Sequence, residues 1–174
     1  MKLSKILKKT LRLKDEHQTQ AYFINKYKRL QIDNVGNLYY FVKDTVCLNA
    51  HLDNVGSEEA HENLHNIKRI QSGGKTKIQG THNIGADDKC GLAFVDYYLT
   101  TNNWIDKAPD NISIMLTVEE ETGMLGSRTL AKHHKDNISN CNFIILLDRR
   151  NKSDIIKYCD DDMMKDLEPI SKRY

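Results

Sequence analysis

The chain has 174 residues and a formal net charge of +2, enough for one hydrophobic core and too mildly basic to argue for a nucleic-acid partner on charge alone. Its four scattered cysteines (Cys47, Cys90, Cys141, Cys159) form no CxxC pair, which excludes a Cys-type zinc knuckle and suits buried thiols in a reducing compartment. No apolar run reaches the roughly 18 residues of a membrane span, and lysines interrupt the apolar residues of the N-terminus, so a soluble cytoplasmic protein without a signal peptide is expected.

The first segment, MKLSKILKKTLRLK, places Lys2, Lys5, Lys8, Lys9, Arg12 and Lys14 ahead of any acid. A basic arm for a membrane surface or a nucleic acid is one reading. The helical spacing of Leu3, Ile6, Leu7 and Leu11 favours a terminal helix docked on the body with its lysines in water. Residues 18–30 read as a second helix, and DNVGN at 33–37 as a turn. LYYFV (38–42) and TVCLNAHLD (45–53) are rich in β-branched and aromatic residues and read as strands. The polar stretch 54–66 reads as a loop or irregular insertion. IKRIQ (67–71) and KTKIQ (75–79) flank Ser72-Gly73-Gly74, which predicts a hairpin. GADDKCG (85–91) opens a helix that continues through LAFVDYYLT (92–100). NISIMLTVEE (111–120) alternates as a strand does, and GMLGSRTLAKHH (123–134) follows as a helix. NFIILLD (142–148) is a nearly continuous apolar run, expected of a central strand covered on both faces. DIIKYC (154–159) reads as one more short strand, and DDDMMKDL (160–167) as the start of a final helix. This alternation predicts an α/β fold, with a sheet sandwiched between helical layers. No repeat or low-complexity linker divides the chain, so residues 1–30 form a helical segment preceding an α/β core over 31–174.

Metal-capable residues recur at one kind of place. TVCLNAHLD ends in His51 and Asp53, NISIMLTVEE runs into Glu119, Glu120 and Glu121, and NFIILLD ends in Asp148. Ligands of open α/β sheets bind beyond the carboxyl ends of the strands, so three such strands aim at a common edge. His51 and Asp53 are two apart and share one face of their strand. That spacing suits a metal-binding imidazole whose second nitrogen is held by an acid. Successive glutamates point to different sides, leaving one free to bind metal while its neighbour handles a proton. Asp87-Asp88 at a helix start repel each other unless something positive lies near, and a carboxylate shared by two cations is a common device of two-metal hydrolases. Imidazole with carboxylates favours Zn2+, or a related ion such as Co2+ or Mn2+. Each piece alone is an ordinary surface feature, and the run Asp160-Asp161-Asp162 is read as helix capping. The repeated position after apolar strands points to a metal-dependent hydrolase.

NAHLDNVG, GADDKCGLA, TVEEETGMLGS and LDRRN, in this order, resemble the co-catalytic zinc peptidases of the M20, M28 and M42 group. The likeness is strongest to the tripeptidase T-like M20 branch, and runs from about residue 33 to 159. It implies a three-layer αβα sandwich with a mixed, mostly parallel sheet, and two zinc ions acting on a peptide substrate. His51, Asp87 and Asp148 would hold the first metal, with Asp87 bridging to a second that Glu121 also binds. Asp53 would orient His51, Glu120 would be the general base, and Asp88 would shape a turn whose Asp87–Asp88 peptide is cis in similar proteins. The family has a further ligand, a histidine far downstream. His61, His65, His82, His133 and His134 do not occupy that motif position, and His82 is the nearest substitute. The chain therefore resembles the N-terminal part of a catalytic domain, truncated at the C-terminus, with an apolar sheet edge expected to be exposed. Two readings follow: an exopeptidase, alone or completed by a second polypeptide, and an incomplete fragment that only binds metal or a partner. Neither nucleic acid nor membrane is the expected partner.

Overall fold

The structure, a computed structural model, describes residues 2–54, 68–72, 75–79, 85–105, 107 and 110–148. Helix α1 (Leu3–Thr10) packs on α3 (Ala86–Thr101) and buries Ile6, as does Leu11 just beyond its end. The body of the protein thus covers Ile6 and Leu11 of the amphipathic face, while Leu7 is half-buried and Leu3 stays exposed. Helix α2 (Glu16–Lys26) begins earlier than its apolar pattern predicts, because the side chain of Asp15 accepts a hydrogen bond from the Gln18 amide at 2.7 Å. It also ends earlier, where Tyr27 leaves the helical region at φ −117° and ψ 80°.

The strands are β1 (Gln31–Ile32), β2 (Leu38–Tyr40), β3 (Val46–His51), β4 (Lys68–Ser72), β5 (Lys75–Gln79), β6 (Ile112–Thr117) and β7 (Phe143–Leu146). Five form one sheet in the order β1-β2-β6-β3-β7. β3 runs parallel to both β6 and β7, while β2 is antiparallel to β6 and β1 to β2. β4 and β5 make a separate antiparallel pair, as the hairpin pattern predicts. The insertion at 55–66, the hairpin's Gly73-Gly74 and the elements predicted over 154–167 lie outside the described residues.

Side chains alternate across the sheet with the period of two that a strand dictates. Leu38, Leu48, Ala50, Ile112, Ile114 and Leu116 meet Phe23 and Tyr27, together with Leu92, Val95 and Leu99 of α3, on one face. Cys47 and Met115 meet Leu130 of α4 (Leu125–His133) on the other, beside Ile138 of α5 (Lys135–Ser139). The result is the expected three-layer αβα arrangement.

Two strands stop short of their predicted ends for a common reason. The amide of Val42 donates to Ser113 Oγ (2.9 Å) and that of Val118 to Asn37 Oδ1 (3.0 Å), so side chains take the bonds that the ladder would need. β7 departs from expectation in place. It pairs with β3 alone among the described residues, and Phe143 to Leu146 are each 39–56% exposed. Continuous apolarity signals surface to be covered, and does not say from which side a neighbour comes.

Candidate metal centre

Because β3, β6 and β7 are parallel, their carboxyl ends share one edge of the sheet. His51 closes β3, Glu119–Glu121 form the turn after β6, and Asp148 lies two residues after β7. Opposite them, the start of α3 is non-helical at Asp87 and Asp88, and the peptide between the two is cis.

His51 is 2% exposed, and its amide and both ring nitrogens each meet a carboxylate. Its amide donates to Asp88 Oδ2 at 3.2 Å, Nδ1 lies 3.1 Å from Asp53 Oδ1, and Nε2 lies 3.1 Å from Asp87 Oδ1. Burial opposes the imidazolium, but the Asp53 hydrogen bond and the charges of Asp88 and Asp87 outweigh it and bring the pKa up to about 9. Asp53 also accepts the Glu120 amide on Oδ1 and the Glu121 amide on Oδ2, both at 3.1 Å. Burial would raise its carboxyl, yet His51 and these amides hold it below the usual range.

The two neighbouring aspartates differ sharply. Asp87 is exposed toward the site, whereas Asp88 is buried and bonds the amides of His51 and Gly91. Burial pushes Asp88 up to about 7 against the pull of His51 and the two amides. Gly91 has no room for a side chain: a Cβ there would lie 2.3 Å from Asp88 Oδ1. Lys89 is the buried cation behind the turn, with its ammonium donating to Thr19 Oγ1 of α2. Burial draws it down to about 8, opposed by the charges of Asp15, Asp53, Asp88 and Glu16.

Two sets of donor atoms lie close enough to share a cation: His51, Asp87 and Asp148, and His51, Glu120 and Glu121, each within 4.8 Å of one another. Burial, then the charge of Asp87, raises the carboxyls of both Asp148 and Glu121. An imidazole set among carboxylates, of which Asp148 and Glu121 are raised by burial and by the charge of Asp87, is a donor set that a divalent cation relieves. The structure thus gathers all six predicted residues. His133 and His134 stand elsewhere, at the end of α4, with the His134 ring 4.4 Å from that of Tyr39. His61, His65 and His82 lie outside the described residues.

Sequence reasoning missed the residues that hold this edge in shape. Asn37 accepts the Val118 amide and donates to the Gly126 carbonyl at 3.0 Å, joining the turn before β2 to the end of β6 and the start of α4. Glu16 Oε2 accepts the Glu119 amide at 3.0 Å from the first turn of α2. Only Lys89 carried a local signal, its place in GADDK. The contacts of Asn37 and Glu16 span 81 and 103 residues of sequence.

A mixed sheet between two helical layers, with a His/Asp/Glu cluster at the carboxyl edge of its parallel strands, is the zinc-exopeptidase-like class of fold. The sequence model of peptidase family M28 matches residues 35–173, and the chain belongs to that family. It is 30% identical over 100 residues to the uncharacterized protein YqjE of Bacillus subtilis, a stretch covering 55% of this chain and 25% of that protein. Among solved structures it is similar to the aminopeptidase PepT of Bacillus cereus (TM-score 0.59, 22% identity) and to a tripeptidase of Staphylococcus aureus (TM-score 0.61, 21% identity). Each likeness covers 87% of this chain and 44% of the other, and at these identities it is a likeness of fold. The chain spans less than half the length of these relatives.

Proposed function

We propose that the chain is a zinc-dependent exopeptidase, of the aminopeptidase or tripeptidase kind, that hydrolyses peptide bonds. The observation that carries the reading is the meeting of His51, Asp87 and Asp148 with Glu120 and Glu121 at one sheet edge. His51, Asp87 and Asp148 would hold one ion, and Asp87 with Glu121 would hold a second; Co2+ or Mn2+ suits the same donors. Nε2 of His51 faces Asp87 Oδ1 at 3.1 Å, so the two would offer their donor atoms to the same ion. Bound divalent ions supply Lewis-acid polarisation of the scissile carbonyl and lower the pKa of water. Asp53 fixes the ring by accepting the Nδ1 proton, which leaves Nε2 as the ligating nitrogen. Glu120 takes a proton from the attacking water and returns it to the leaving amine, so hydroxide adds to the carbonyl carbon as the C–N bond breaks.

A second reading has its own support. The described donor groups contain one histidine, shared by both sets, and the outer edge of β7 is apolar and exposed. On this reading a second polypeptide supplies the remaining ligand, and the chain alone binds metal or a partner without turnover. Zinc stoichiometry separates the two. Two tightly held ions per chain, lost in Asp87→Asn, are expected of the autonomous enzyme; one loosely held ion, or none, would sink that claim.

A further inference from the structure

We propose that Glu16, on the first turn of α2, is a positioning residue that sets the turn carrying Glu120 and Glu121. The inference rests on the roles given to those two glutamates above. Beyond Thr117 the β6 ladder ends, and four successive amides then donate to side chains. Val118 donates to Asn37 Oδ1 (3.0 Å), Glu119 to Glu16 Oε2 (3.0 Å), and Glu120 and Glu121 to the two oxygens of Asp53 (both 3.1 Å). No regular element holds this stretch; its path is defined by three side chains from three separate places in the sequence.

Glu119 most needs such support. It has φ of +50°, a left-handed conformation that residues with a Cβ rarely adopt. Its amide sits between the pair of amides bound by Asp53 and the one bound by Asn37, and Glu16 alone accepts it. Losing that acceptor frees the central peptide of the turn while both ends stay tied. A rotation there re-aims the two side chains that follow.

Glu16 is suited to the task by its surroundings. Asp15 caps α2 and Tyr27 OH bonds Asp96 of α3, so the helix is fixed at both ends. Glu16 is half-buried, with Asp53 and Asp15 as like-charged neighbours, and Lys89 is the cation they share. The carboxylate therefore reaches the turn from a rigid support.

The reach of the acceptor and the charge of the side chain make opposite predictions. Glu16→Asp keeps the charge and the helix start but withdraws the acceptor by about 1.5 Å, one carbon–carbon bond. Glu16→Gln keeps the reach and discards the charge. Backbone amide exchange, followed by NMR on the full chain without metal, reads the turn directly. We expect Glu119 to exchange about tenfold faster in Glu16→Asp and Glu16→Ala, and within about threefold of wild type in Glu16→Gln, a rescue that a purely electrostatic role would reverse. Met115 and Leu116 in β6 should be unchanged in every variant, which certifies the fold. Cobalt titration, followed by visible absorption, should give about tenfold weaker binding in Glu16→Asp and recovery in Glu16→Gln. Unchanged Glu119 exchange in Glu16→Asp and Glu16→Ala overturns the proposal, as does a Glu16→Gln that behaves like Glu16→Ala. A wild-type chain that binds no cobalt overturns the metal reading instead, and the exchange rates still decide on Glu16.

Discussion

At the scale of single residues, adjacent identical side chains do unlike work. Asp87 reaches out beside the His51 ring, while Asp88 turns inward onto two backbone amides. The space for that inward turn is the missing side chain of Gly91, where a Cβ would come within 2.3 Å of Asp88 Oδ1. Gly91→Ala should therefore displace the Asp88 carboxylate and leave the His51 amide without its acceptor. A destabilisation of about 1–3 kcal/mol is expected, read as a lower unfolding midpoint in a thermal melt. An unchanged midpoint would mean that the turn adapts freely. The division of labour between the aspartates was implied by the likeness of GADDKCG to the peptidase motif, since the residues alone mark only an acidic doublet at a helix start. The need for glycine at 91 was not, since it depends on the rotamer of a neighbour.

At the scale of elements, α2 and α3 are joined by a buried carboxylate. Asp96 accepts hydrogen bonds from Tyr22 (2.8 Å), Tyr27 and Lys26, and is itself fully buried. Lys26 keeps some contact with water, so the pair is only partly desolvated. Asp96→Ala leaves Lys26 without its counter-charge and the Tyr22 hydroxyl without this acceptor, while Tyr27 keeps the carbonyl of residue 96, and should cost about 3 kcal/mol in denaturant unfolding, the lower end for breaking a buried pair. Asp96→Asn, which keeps an acceptor, should cost less. The stretch LAFVDYYLT reads correctly as a helix packed on a sheet, but nothing in it marks Asp96 as a joint. The strand ends show the same limit. Aromatic and β-branched content located β2 and alternation β6, yet their final residues were set by Ser113 and Asn37, whose contacts across 71 and 81 residues leave no local trace.

At the scale of the whole molecule, the order β1-β2-β6-β3-β7 places the apolar β7 at the rim of the described sheet. Unpaired strand edges with exposed apolar side chains template association. The chain should scatter light increasingly as its concentration rises, and Ile144→Lys with Leu146→Lys should suppress the effect. A wild-type chain that stays clear at high concentration would remove this expectation. The convergence of strand ends on one edge was legible from sequence, because parallel direction and terminal chemistry are both local patterns. Strand order was not, since it is decided by which apolar faces meet. Within the described residues no helix is long and apolar enough to cross a membrane.

The spread of the ligand candidates over residues 51 to 148 links the site to the folding reaction itself. A fragment that has formed only the β3 end or only the α3 turn offers a cation one or two donors, whereas the assembled edge offers the full set. Binding energy is then available only to the completed fold, and a cation held at a thousandfold excess over its Kd would add about 4 kcal/mol to global stability. On the metal reading proposed above, a bound cation would therefore favour the finished sheet over any of its parts.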